Sequence, residues 1–316
     1  MPADRTRISL GSGRLAVLAA VAAIGVAACG APPGPSGAAY AAGDGGGSLT
    51  EVGADTPGAG VAIDPAYFAQ GACVAFPPDG ANRHLTVFLD AGHGGPDPGA
   101  VGVTESGRVI YEADQTLPVV LDTMAILRRA GLRVVVSRTG ATPVLRLGPA
   151  DESGGILTDV GSHDDVAARD VCANMARANV LVGVYFNASS SAAAAGCITA
   201  YDSARPFAAD NRRLASLVQS DVLAAMNARG WHIPDIGAQT DQGLGSSLTA
   251  ADQAYDHLML LGPAKKRYFS APSLMPGALV EPLFITDPFE GSIAASSRGQ
   301  HVIAAGLARA IEQYFA

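Results

Sequence analysis

The sequence predicts a single α/β domain with a mainly parallel sheet of about six strands and helices on both faces. Two observations carry this. From Leu85 onward, short apolar runs rich in β-branched residues alternate with stretches of helical periodicity. The 316 residues, 48% of them hydrophobic, bury one core of ordinary size once the ends are trimmed, and two domains would be cramped.

The elements follow in order. Arg5, Arg7 and Arg14 precede an apolar run, Leu15 to Ala28, too short to span a bilayer comfortably, so residues 1–28 read as a signal peptide. The run ends in Val26-Ala27-Ala28-Cys29-Gly30, which resembles the lipobox at which bacterial lipoproteins are cleaved and lipidated, here on Cys29. The other reading is an ordinary signal peptide, cleaved and released. Either way the chain is exported, and the first reading anchors it to the outer face of the membrane.

Residues 29–79 are mostly Gly, Ala and Pro and read as a tether and lead before a domain at 80–316. In an oxidising compartment Cys73, Cys172 and Cys197 predict one disulfide and one spare thiol. A bond from Cys73 to either of the others closes a long loop and stabilises the fold by about 3 to 5 kcal/mol.

Strands are expected at Leu85 to Leu89, Leu132 to Ser137, Val180 to Phe186, Cys197 to Tyr201, Leu258 to Leu261 and Ala278 to Phe284. Helices are expected at Glu112 to Ala130, stopped by Gly131, and at Asp164 to Ala178, Arg205 to Ala228 and Gly299 to Phe315. Pro118 is compatible with the first helix only if regular helix begins within a turn of it.

A net charge of −8 and scattered basic residues exclude a nucleic-acid partner, whose phosphates need neutralising. Ligands of open α/β sheets sit beyond strand C-termini, which draws attention to His93 in a glycine-rich turn after the first run. Glu112 opens the next helix, and Glu281 stands inside an apolar run. Burying an unpaired carboxylate is costly, so Glu281 calls for a cation, a metal or a raised pKa suited to proton transfer. Taken singly, His93 is a turn histidine, Glu112 a helix N-terminal carboxylate, and Glu281 the partner of Arg138 or Arg169 in a buried ion pair.

Together these residues resemble the zinc-dependent N-acetylmuramoyl-L-alanine amidases, which cut peptidoglycan. The resemblance covers about residues 83 to 316. Thr86-Val87-Phe88-Leu89-Asp90-Ala91-Gly92-His93-Gly94-Gly95-Pro96-Asp97-Pro98-Gly99-Ala100-Val101-Gly102 is close to the family's opening motif, and Pro276-Gly277-Ala278-Leu279-Val280-Glu281-Pro282-Leu283-Phe284-Ile285-Thr286-Asp287-Pro288 is similar to the closing one. The resemblance implies zinc held by His93 and Glu112, with Glu281 as the catalytic base and acid and peptidoglycan as substrate.

The sequence departs from the family at Gly183-Val184-Tyr185-Phe186-Asn187-Ala188, where Tyr185 stands in the place of a third ligand histidine. Three outcomes are open: Tyr185 ligates as a phenolate, another histidine such as His163 or His257 fills the gap, or the site holds no zinc. In the last case the chain is a lipoprotein that binds the wall or a wall partner without cutting it.

Overall fold

The computed structural model describes residues 59–245 and 249–316. The signal peptide, Cys29 and most of the tether lie outside them. Among the described residues no helix is long and apolar enough to cross a membrane.

The domain is built on an eight-stranded sheet in the order β1-β2-β6-β3-β9-β12-β10-β11. Its strands are β1 (Val61–Ala62), β2 (Ala72–Phe76), β3 (Thr86–Ala91), β6 (Arg133–Arg138), β9 (Val180–Val184), β10 (Cys197–Tyr201), β11 (Asp235–Thr240) and β12 (Gly277–Glu281). Two small hairpins, β4 (Val101–Val103) with β5 (Val109–Tyr111) and β7 (Glu152–Ser153) with β8 (Ile156–Leu157), project from the connections. The helices are α1 (Glu112–Arg129), α2 (Asp159–Met175), α3 (Ala208–Asn227), α4 (Ala250–Tyr255), α5 (Pro288–Ala294) and α6 (Ser297–Tyr314).

Side chains alternate across the pleat, so each central strand serves two cores. Val87, Leu89, Val134, Val136, Val182, Val184, Ala278 and Val280 point into one core, which α1, α3 and α6 cover with Val119, Leu127, Val218, Val222, Ile303 and Leu307. Phe88, Val135, Leu181 and Leu279 point to the other, covered by α2 through Ala168, Cys172 and Ala173 and by Leu260 and Leu261. Gly131, at φ 86, ends α1 as expected, since a left-handed residue there costs glycine little.

Three expectations are corrected, and the open disulfide pairing is resolved as one of the two expected. Leu258 to Leu261 is a turn, closed by Leu261 N–H and Gly262 N–H donating to the Leu258 carbonyl, and its leucines pack onto the sheet instead of pairing in it. Pro118 lies inside α1, which begins six residues earlier at Glu112. Residues 59–79 are part of the fold rather than wholly lead, because β2 pairs antiparallel with β6. Cys73 in β2 bonds to Cys172 in α2, while Cys197 is free and buried.

Candidate active site

Register brings the site together. β3, β9 and β12 run parallel, with Ala91 opposite Val184 and Val184 opposite Val280. The residues just beyond these, His93, Tyr185 and Glu281, therefore emerge at one end of the sheet. Glu112 joins them because its N–H donates to the Ala100 carbonyl, which seats the start of α1 against the His93 loop.

His93 adopts a left-handed φ of 60. Such a conformation in a non-glycine residue costs on the order of 1–3 kcal/mol and persists where the surroundings fix it. Arg138 Nε donates to the Ala91 carbonyl at 3.1 Å and its Nη2 to the Gly92 carbonyl at 3.1 Å. Arg169 Nη2 donates to the His93 carbonyl at 3.0 Å. Gly99, at φ +66, lets the chain pass close by: a Cβ there would lie 2.7 Å from the His93 ring and 2.8 Å from Glu112 Cβ.

The imidazole sits between two carboxylates. His93 Nδ1 is 2.7 Å from Asp97 Oδ2, and Nε2 is 3.1 Å from Glu112 Oε2. Burial alone would lower the imidazole pKa, but Glu112 and Asp97 outweigh it and lift it to about 10. Glu112 is itself buried and fixed: Oε1 accepts from Phe186 N–H at 2.8 Å and Oε2 from Ala100 N–H at 3.0 Å. Glu281 is pushed up to about 7 by burial and then by the charge of Glu112, with His93 pulling the other way. His93, Glu112 and Glu281 thus share one electrostatic environment. Glu281 is not the partner of either buried arginine, because Arg138 is spent on carbonyls and Thr116 while Arg169 pairs with Asp90 at 2.6 Å and Asp165 at 2.8 Å.

The donor pair fits a divalent ion. Two donors bound to one tetrahedral zinc at about 2.0–2.1 Å stand about 3.3 Å apart, and Nε2 and Oε2 are 3.1 Å apart. Asp97 on the opposite ring nitrogen is the kind of outer partner that fixes the tautomer of a ligand histidine.

Tyr185 does not complete this set. Its ring packs edge-on to His93 with centroids 5.3 Å apart, but its hydroxyl donates to Asp90 Oδ2 at 3.0 Å. Burial and Asp90 hold the phenol well above its ordinary pKa, which favours the protonated donor over the phenolate that ligation would need. Tyr185→Phe should cost about 1–3 kcal/mol, the price of leaving a buried acceptor short of a donor, with no loss of metal. Denaturant titration and elemental analysis read both, and a drop in metal content would restore the phenol as a ligand.

Of the replacement histidines, His163 in α2 lines the same cleft as His93, a space of about 280 Å³ that also takes in Asp97, Asp165, Met259 and Tyr268. Its Nδ1 is 2.9 Å from Asp164, and its Nε2 is buried without a hydrogen bond. His257 lies elsewhere, against Asp202 and Asp241. A larger hollow of about 580 Å³ is bordered by Ile63, Ala75, Leu85 and Arg133, at the opposite ends of β3 and β6, and has none of these carboxylates. Sequence reasoning missed Asp97, although it stands four residues after His93 within the same motif. It also missed the Tyr185–Asp90–Arg169–Asp165 network, whose members are distant in sequence.

The germination-specific N-acetylmuramoyl-L-alanine amidase of Bacillus subtilis (strain 168) is 24% identical over 229 residues, 72% of this chain and 79% of the relative. The fold is similar to the CwlD amidase of Clostridioides difficile, solved in complex with the GerS lipoprotein, with a TM-score of 0.55 at 19% identity over 73% of this chain and 98% of that one. It is also similar to the catalytic domain of CwlV, an N-acetylmuramoyl-L-alanine amidase of Bacillus (Paenibacillus) polymyxa var. colistinus, with a TM-score of 0.51 at 22% identity over 73% and 98%. The family description for N-acetylmuramoyl-L-alanine amidase matches residues 87–313, the span that contains His93, Glu112, Tyr185 and Glu281, and the chain belongs to that family.

Proposed function

We propose that the chain hydrolyses the amide between N-acetylmuramic acid and the L-alanine of the stem peptide in peptidoglycan, with zinc held by His93 and Glu112 and with Glu281 as general base and acid. Family membership supports the reaction. The observation that carries the mechanism is the largely buried Glu281, its pKa raised to about 7 beside the His93–Glu112 pair.

A bound zinc ion supplies a water of lowered pKa and polarises the scissile carbonyl. Glu281 accepts a proton from the attacking water and returns it to the leaving nitrogen. The water oxygen ends in the muramyl carboxylate, and alanine leaves as a free amine. Asp97 keeps the Nδ1 side of His93 occupied, so Nε2 faces Glu112.

The Cys73–Cys172 bond supports an oxidising, exported location. There a lipid on Cys29 would anchor the chain, and peptidoglycan is the partner. A wall-binding lipoprotein without activity is the second reading, favoured by Tyr185 in place of a histidine; it requires wall binding that survives loss of Glu281.

Purified protein should release stem peptides from isolated peptidoglycan, stop on addition of a chelator and resume with zinc. Since Glu281 acts ionised, the rate should fall as pH drops through its titration. That lies near 7 without metal and lower beside a bound cation. Absence of both release and metal at His93 would overturn the proposal.

A further inference from the structure

We propose that Asp202, Asp241 and His257 form a second site for a divalent transition ion of the zinc class, remote from His93. The topology builds it. β10 runs antiparallel to β12, with Ile198 opposite Glu281 and Ala200 opposite Leu279, and β11 lies parallel to β10. The carboxyl ends of β10 and β11 therefore open at the end of the sheet opposite to His93, and Asp202 stands about four strand residues, roughly 13 Å, from the level of Glu281. Asp202 follows β10 and Asp241 follows β11, with Asp241 N–H donating to the Tyr201 carbonyl.

Three donor atoms, one from each residue, lie within 4.8 Å of one another. His257 Nδ1 is 2.9 Å from Asp202 Oδ2 and 3.3 Å from Asp241 Oδ1, close to the separation of about 3.3 Å between ligands of one tetrahedral ion. Each carboxylate is already oriented by its other oxygen. Asp202 Oδ1 accepts from Ala204 N–H at 2.6 Å and Arg205 N–H at 3.0 Å, and Asp241 Oδ2 accepts from Leu258 N–H at 3.0 Å.

What points to a ligand is Asp202 Oδ2. It is fully buried and accepts no hydrogen bond: His257 Nδ1 lies 2.9 Å away, but the hydrogen bond of that nitrogen is made with Asp241. Arg205 does not serve it either, since its guanidinium donates to the carbonyls of Leu261, Gly262 and Ser273. A buried carboxylate oxygen that accepts no hydrogen bond and shares its one imidazole with a second carboxylate is costly, and a cation among these three donors removes that cost. Two carboxylates and an imidazole suit zinc better than calcium or magnesium, which take oxygen ligands in larger number. The ion would fasten the segment after α4, which carries Leu260 and Leu261 onto the sheet and Met259 and Tyr268 into the cleft beside His93.

The test is zinc binding to metal-stripped protein, read by elemental stoichiometry and by the shift of Tm on adding Zn²⁺. A His93→Ala/Glu112→Gln protein should still take up one zinc and gain Tm. Adding His257→Gln to it should weaken that binding by more than the roughly 10–100-fold that outer partners are worth, and Asp241→Asn should do the same. If His257→Gln does not fold, the His93→Ala/Glu112→Gln protein decides alone. Uptake of no zinc by that protein, or uptake that ignores His257→Gln, overturns the second site. Neither result bears on hydrolysis, which is read separately on the unaltered chain.

Discussion

Glu281→Gln is expected to slow release of stem peptides by roughly 10²–10⁴-fold, the range that a positioned general base contributes. The substitution keeps the size of the side chain and removes its ability to take a proton, so KM and metal content should stay near those of the unaltered protein. The effect is separable from folding. Glu281 ends β12 partly buried, and burial and Glu112 already favour its neutral form, so a neutral amide costs the fold little. Unchanged turnover in the variant, measured on isolated peptidoglycan, would remove Glu281 from the reaction.

Replacing both Cys73 and Cys172 by alanine should lower Tm by roughly 10–15 °C, on the basis of about 4–5 kcal/mol for a long closed loop and about 2–4 °C per kcal/mol for a domain of this size. The bond spans a sequence separation of 99 and joins β2, next to the edge strand β1, to α2. Without it, β2 retains its ladder to β6, but the unfolded chain gains the freedom that the crosslink removes. A melting curve unmoved by reducing agent would show that loop closure contributes little here.

The central strands were legible because each is a continuous apolar run, the mark of a strand buried on both faces. β2 was hidden in a lead whose composition reads as a tether, and β11, Asp235–Thr240, is an edge strand with no buried residue to give it a pattern. Leu258 to Leu261 failed in the opposite direction: hydrophobicity marked burial, and burial came from packing on the sheet. At the site, His93 and Glu281 stood out since each sits in a contiguous motif. The partner of Tyr185 did not, because Asp90 is 95 residues away, and the cluster of Asp202, Asp241 and His257 is assembled from three separate connections.

The grip of Arg138 and Arg169 on the carbonyls of residues 91 to 93 has a kinetic corollary. A histidine whose backbone is clamped by two guanidinium groups does not wait for an ion to find its shape, so loading carries no refolding step. If zinc is held as proposed, stripping it should leave circular dichroism and hydrogen exchange around the turn nearly unchanged, and re-addition should restore turnover with release of the His93 proton but without a slow folding phase.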